Sequence, residues 1–584
     1  MDRLKLLLVL TLLLSYNEST VAQNNISIQQ LNTIDQTINE SIFITTNSNT
    51  FLTGETLYYK LFCIDKTTNI PSKHSKIGYI ELIDSNKKPI FNHKLFLKNG
   101  TENGDFFLPT TLETGNYKLI GYTNWMLNKN NPEYFNITIS IINPYQINSK
   151  TVKNEIAENN YLTQKKETGL GADQINISIE FNKKTYSNRE RVDLKVTSPF
   201  EEILKGSYSL SVRKKEDLFY SNKLSFEENQ TSNNNSNFNN SIATEDLLLP
   251  ELRGEIITGK IIPKTKKENI ENKQIALSIP GKNYDLKITK TGKNGRFFFN
   301  LENKNLSDNI IIQLIDADKE DFNIEINTPK KLNYSTLSFN ELRLNPDFKT
   351  NIEERAVASQ IENAYYNTKK DSLVPIENLK TFFDPLSKEY ILDDYTRFPT
   401  LKETIVEIIS GMYYTENKDT YTLHLMDYDP NIELSLPALV IVDGLIIEDI
   451  NELFKYKTDN FYKINIVRGG YYFGTKMFNG LISFTTKTNN YNSSLQGSYL
   501  IKPIIKRPLS KKVYFQPDYS TINNNNRIPD YRYQLLWMTD VYFNNKENIF
   551  SFYTSDVSGT FEVSIEGFSD TGKPISSKET FVVE

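Results

Sequence analysis

Residues able to carry chemistry are scarce in this chain. Its 584 residues include three histidines, His74, His93 and His424, and a single cysteine, Cys63. The histidines fall in separate segments, and no cysteine lies near them in sequence to complete a metal site, which needs ligands at fixed spacing. His424 sits in the alternating stretch 421–426 (YTLHLM) and reads as a packed or solvated strand histidine. No nucleophile elbow, P-loop or G-x-G-x-x-G is present. Asp443 is followed by Gly444, and Asp-Gly at the end of an apolar run is turn chemistry before it is a catalytic carboxylate. Asp316, Asp318 and Asp321 offer clustered oxygens of the kind Ca²⁺ takes, and a solvated acidic loop accounts for them equally well. No catalytic, cofactor-binding or metal-ligating residue is assigned. The chain reads as non-enzymatic.

The stretch that must position Asp443 runs from 434 to 487. It starts with 438–442 (ALVIV), a short β-branched apolar run that reads as a strand buried on both faces, stopped by a tight Asp443-Gly444 turn. Residues 445–447 resume as a strand, and Asp449 offers a cap for a short helix through Leu453, Phe454 and Tyr456. Strands follow at 464–467 and 481–486, punctuated by Gly469, Gly470, Gly474 and Gly480. Upstream, 351–366 has helical spacing, and 400–409 predicts a second helix with Thr400 and Glu403 as its capping box.

The rest of the chain is patterned as short alternating strands between turn residues. Aromatics make up 12% of it, mostly Tyr and Phe, which favours β structure. A net charge of −5 gives no basic footprint, so nucleic acid is excluded as a partner. Residues 1–23 combine a basic start, an apolar run at 6–14 and a Val-Ala-Gln end, the pattern of a signal peptide too short to span a bilayer. Cys63 lies in an apolar run and reads as a small buried hydrophobe, and one cysteine cannot make an internal disulfide. Residues 146–173 read as a linker, and the Asn- and Ser-rich run 227–241 as a loop whose Asn-x-Ser/Thr triplets are chance products of composition.

Three resemblances follow from quoted residues. Val440-Ile-Val-Asp443-Gly444, Ile464-Asn-Ile466-Val467-Arg468-Gly469, Phe473-Gly474 and Gly480-Leu-Ile482, with Thr485-Thr486-Lys487, resemble in order the plug domain of TonB-dependent outer-membrane receptors. In that motif Asp443, Gly444, Gly469, Gly474 and Gly480 are structural. Phe51, Gly54, Glu55, Leu57, Tyr59 and Lys60, followed by Gly115, Tyr117, Leu119 and 122–126 (YTNWM), resemble macroglobulin-type sandwiches of bacterial envelope proteins. Residues 186–196, and the tail from 531, resemble further domains of that type. Residues 252–326, with Gly254, 276–278 (ALS) and 295–299 (GRFFF), resemble the carboxypeptidase-regulatory-like sandwich, a non-catalytic appendage.

The expected fold class is therefore mainly β: tandem β-sandwich domains with one small α+β plug-like domain and no transmembrane barrel. The expected boundaries are a signal peptide at 1–23, a macroglobulin-like sandwich at 24–145, the linker at 146–173 and a second such sandwich at 174–250. A carboxypeptidase-regulatory-like sandwich follows at 251–330, the plug-like domain at 331–490, and a C-terminal macroglobulin-like domain at 491–584. Macroglobulins that trap proteases use a Cys-Gly-Glu-Gln thioester. Here Cys63 is followed by Ile64-Asp65, so that activity does not carry over. About 100 residues follow Lys487, too few for the receptor barrel of ~22 strands. The resemblances imply an exported protein at the outer membrane, on its periplasmic side or at the cell surface, that docks without a cofactor on an outer-membrane β-barrel protein or its complex. A free-standing structural or adhesive surface protein is the alternative.

Overall fold

The structure is a computed structural model. It describes residues 38–129, 134–146, 177–198, 205–216, 247–265, 268–302, 307–330, 332–342, 344, 346–375, 380–418, 420–428, 436–520, 527–543 and 545–584. The signal peptide, the Asn-rich run and nearly all of the linker expected from the sequence lie outside these residues. The chain is mainly β, and among the described residues no helix is long and apolar enough to cross a membrane. It divides into two compact units: 1–252, 332–372 and 511–584 form one, and 253–331 with 373–510 the other.

The first unit holds two β-sandwiches. In one, a three-stranded sheet orders Glu40–Thr46, Thr56–Asp65 and Thr101–Phe107. Its five-stranded partner orders Thr50–Leu52, Phe135–Ile142, Gly115–Tyr122, Ile77–Ile83 and Pro89–Phe96. Alternate residues face inward, among them the fully buried Phe51, Leu57, Tyr59, Leu61, Leu82 and Leu119. Cys63 is buried here too, and burial pushes its thiol well above the usual range.

The other sandwich departs from the boundaries expected from sequence. Residues 174–250 and 491–584 were to be separate domains, yet their strands share both sheets. Gly206–Lys214 lies between Gln534–Val541 and Gly559–Ser569, and Arg191–Thr197 lies between Ser178–Phe181 and Glu547–Tyr553. The reason is burial. The strands of 178–214 carry an apolar stripe (Val192, Leu194, Val196, Leu210, Val212) that they cannot cover themselves, and Leu535, Phe552, Phe561, Val563 and Phe581 cover it.

The helix Lys349–Ala364 also belongs to this unit rather than to the plug-like segment in which it was expected. It buries Arg355, Ala356, Ala358 and Ser359. Ala356 packs with Leu52, Ile142 and Leu342 of the first sandwich's edge.

The second unit combines a sandwich with an α+β layer. The sandwich pairs a sheet of Arg296–Leu301, Glu255–Pro263 and Phe322–Ile326 with one of Asp285–Lys290, Gln274–Ile279, Ile311–Leu314 and Leu500–Ile501. That last strand adds residues of the expected C-terminal domain to this unit instead. The α+β layer is a five-stranded mixed sheet ordered Lys388–Ile391, Phe461–Phe473, Lys476–Thr486, Leu439–Val442 and Leu445–Ile446. Leu439–Val442 runs parallel to Lys476–Thr486, and every other pairing in the sheet is antiparallel. All four residues of Leu439–Val442 are buried. Val440 and Val442 pack on Leu401, Ile405 and Phe461, while Leu439 and Ile441 pack on Ala276, Leu286 and Ile288 of the sandwich. Both faces of this strand are therefore covered by other parts of the same unit.

Candidate functional site

The α+β layer is built around the turn that ends its buried strand. Asp443 and Gly444 both have positive φ, 49° and 87°, and connect antiparallel strands in which Val442 faces Leu445. A two-residue connection with both residues in this region is the type I′ hairpin, whose twist matches the flanking strands. The Asp443 side chain, 2% exposed, is used entirely within the fold. Its carboxylate accepts hydrogen bonds from Thr486 N (2.8 Å), Thr486 Oγ1 (2.6 Å) and Tyr491 N (3.0 Å). It ties the turn to the end of the neighbouring parallel strand, with three of its acceptor positions used within the fold.

Gly444 also meets a steric demand. A Cβ there would come within 2.3 Å of the Tyr284 side chain, so the turn and the sandwich approach closely only because no side chain intervenes. Gly469, Gly474 and Gly480 have φ of 81°, 60° and 80°. Gly469 lies in the register shift between Val467 and Gly470 of the long hairpin, the local signature of a bulge. The five motif residues are distributed along one hairpin system. They shape its turns and bulge.

Flanking elements follow local rules. Thr400 Oγ1 accepts from Glu403 N, and the Glu403 carboxylate accepts from Thr400 N, completing the capping box of Leu401–Glu407. The N-cap of Asn451–Lys455 is Ile450 rather than the expected Asp449, whose Oδ1 instead accepts from Asn451 N in a turn of its own just before the helix. Among the described residues the hairpin Met412–Asn417/Thr420–Leu425 pairs with no further strand. His424 lies on it, stacked on Tyr413 at 5.0 Å and within hydrogen-bonding distance of Thr422 Oγ1 at 2.8 Å. Partial burial lowers its pKa from the ordinary value.

Beside this hairpin, Arg468 donates to the carbonyls of Met426 and Asp427 (2.6 and 2.5 Å) and lies over the Tyr428 ring at 4.6 Å. Tyr428 is 72% exposed and Tyr472 of the long hairpin 74%. Tyr472 lies on a strand and Tyr428 in the bend after the hairpin, and exposed tyrosines offer contact area at small entropic cost.

The remaining candidate residues have structural partners. Asp316 Oδ2 accepts from Gln274 N (2.7 Å), and Asp318 ion-pairs with Lys273. His93 Nδ1 lies 2.6 Å from Tyr59 OH. His74 N donates to Ser72 Oγ.

Sequence reasoning missed a buried polar cluster in the first unit. Arg355, 3% exposed, donates to Glu55 Oε1 and Oε2 (2.6 and 2.7 Å), Glu216 Oε2 (2.6 Å) and Thr50 O (3.0 Å). Arg213 approaches Glu55 at 3.4 Å. Burial alone would push the Glu55 carboxyl up, but Arg355, then Arg213, and the hydrogen bonds from Arg355 and Leu52 N hold it below the usual range. Glu55 had been noticed only as a motif residue. Its partners lie 158 and 300 positions away, beyond any local signal.

Together these features define a sandwich-built, mainly β protein carrying one α+β layer. It is similar to solved structures of bacterial alpha-2-macroglobulins. Salmonella alpha-2-macroglobulin reacted with methylamine aligns at 8% identity and a TM-score of 0.23, over 93% of this chain and 39% of that one. Escherichia coli alpha-2-macroglobulin activated by porcine elastase aligns at 8% identity and a TM-score of 0.23, over 93% and 44%. The Yersinia pseudotuberculosis adhesin InvE aligns at 9% identity and a TM-score of 0.13, over 52% and 57%. The chain thus spans less than half the length of the two macroglobulins. No family model and no curated protein matches it.

Proposed function

We propose that this chain is an exported, non-enzymatic envelope protein that docks on an outer-membrane β-barrel protein or its complex. In this reading the α+β layer is a plug-like docking module. The sandwiches of the first unit are macroglobulin-like, and the sandwich at 253–326 is a carboxypeptidase-regulatory-like appendage. The observation that carries the reading is the α+β layer itself: a buried strand, an Asp443-Gly444 turn, a short helix, and a long glycine-bent antiparallel hairpin whose second strand runs parallel to the buried strand Leu439–Val442. The export signal at 1–23 supports the location. Tyr428 and Tyr472 supply exposed contact area, and the unextended hairpin Met412–Asn417/Thr420–Leu425 supplies an edge for strand addition.

The test is affinity purification of the tagged full chain from detergent-solubilised envelopes, with mass spectrometry of the eluate. The expected result is a stoichiometric outer-membrane barrel that is lost when Tyr428 and Tyr472 are both replaced by Asp. Recovery of the chain alone, from the soluble fraction, sinks the docking reading and favours a free-standing surface protein.

A further inference from the structure

The first unit buries a lysine that its architecture does not neutralise. Lys60, on the strand Thr56–Asp65, is 2% exposed. Its Nζ reaches out of the first sandwich into the second, donating to Tyr208 O (3.0 Å) and Thr539 O (2.5 Å), with Ser207 Oγ at 2.8 Å. Among the described residues it makes no ion pair. The charged groups facing it are Asp540 on Gln534–Val541, Glu102 on Thr101–Phe107, and Lys511. Lys511 already engages both carboxylates, pairing with Asp540 and lying 4.0 Å from Glu102. The strand Gly206–Lys214 presents only the Ser207 hydroxyl and the Tyr208 carbonyl to the amine. Across the sheet, Lys60 is paired with Thr45, which is uncharged.

This environment suits a neutral amine. Two N–H groups serve two carbonyls that can only accept, and the remaining lone pair can accept from Ser207 O–H, a group able to act either way. An ammonium here would keep its hydrogen bonds but bury a full charge whose facing carboxylates, Asp540 and Glu102, already engage Lys511, a costly case. Burial, the largest influence, accordingly pulls the Lys60 pKa from 10.5 to about 7.

We propose that Lys60 makes the joint between the two sandwiches of the first unit pH-responsive: opening the joint to water releases the amine from its carbonyls, and it takes up one proton from solvent. The coupling has a definite sign. Between pH 7 and 10.5 the open state binds one more proton than the closed state, so acidification favours opening and alkalinity favours closure. Below pH 7 both states are protonated and the dependence levels off. The proposal is independent of any docking partner.

The test is hydrogen exchange of the full chain followed by mass spectrometry, read on peptides covering 56–65, 206–214 and 534–541 and corrected for intrinsic exchange. The opening constant of these peptides is expected to fall up to about tenfold per pH unit from pH 7 to 9, the limit for one proton. In Lys60→Met, which keeps the chain length without the amine, the slope is expected to vanish. Lys60→Gln is a second variant with the same expectation should Met fail to fold. A wild-type opening constant that is equal at pH 7 and 9 overturns the proposal, as does a slope retained in the folded variants.

Discussion

Replacing Arg355 with Met tests whether the first unit is held together through its buried ion cluster. The substitution removes four charge-assisted or carbonyl hydrogen bonds, to Glu55 twice, Glu216 and Thr50. Glu216 loses its ion pair with Arg355, and Glu55 keeps Arg213 at 3.4 Å and the hydrogen bond from Leu52 N. Removing one partner of a buried pair leaves an uncompensated charge and costs about 3–5 kcal/mol. That is a large part of the ~5–15 kcal/mol available to a domain. The pH dependence should change sign as well. In the wild type the carboxyl of Glu55 lies below its ordinary 4.5, so its contribution is complete above the unfolded pKa and is lost as pH falls through the folded value. Without the guanidinium, burial dominates, the folded pKa rises above 4.5, and stability should increase on acidification from pH 7 toward 5. Urea unfolding of the full chain at both pH values, with hydrogen exchange of peptides around 50–55 and 349–364, measures both effects. A loss below about 1 kcal/mol, the net worth of one ordinary hydrogen bond, refutes the reasoning. So does an unchanged pH profile.

Two further substitutions address the α+β layer. Gly444→Ala forces a side chain into positive φ and within 2.3 Å of Tyr284, and should destabilise by about 2 kcal/mol or more in thermal unfolding, whereas Gly115→Ala, with open space around it, should stay within about 0.5 kcal/mol. Equal effects at the two glycines would show that the close approach to Tyr284 is not limiting. Asp443→Ala strands the buried donors of Thr486 and Tyr491 and should cost about 1–3 kcal/mol per unsatisfied group, measured by urea midpoint. A variant as stable as wild type would show that the carboxylate is free for another role.

Much of the α+β layer was legible because its signals are local. The β-branched run at 439–442, the Asp-Gly pair after it and the capping box at 400–403 each concern residues within a few positions of one another, and each takes the expected form. Surface exposure was less legible. Exposure of Tyr472 depends on which face the long hairpin turns to its own sandwich, and alternation alone does not say which of two faces is covered. The helix at 349–364 shows the same limit. Its spacing predicted the element, but Arg355, the residue that anchors it, reads in sequence as an ordinary surface charge.

By itself the sequence determined the mainly β class, the strand and turn chemistry of each segment, the glycines at positive φ and the scarcity of catalytic side chains. All of these follow from backbone sterics and the two-residue period of a strand. Only the tertiary structure decided which strands share a sheet. Gly206–Lys214 takes neighbours from 534–541 and 559–569, and Lys60 and Glu55 meet partners hundreds of positions away. Those choices belong to burial: an apolar stripe specifies that it must be covered, and any stripe of matching shape can cover it, so the partner is selected by the packing of the whole unit.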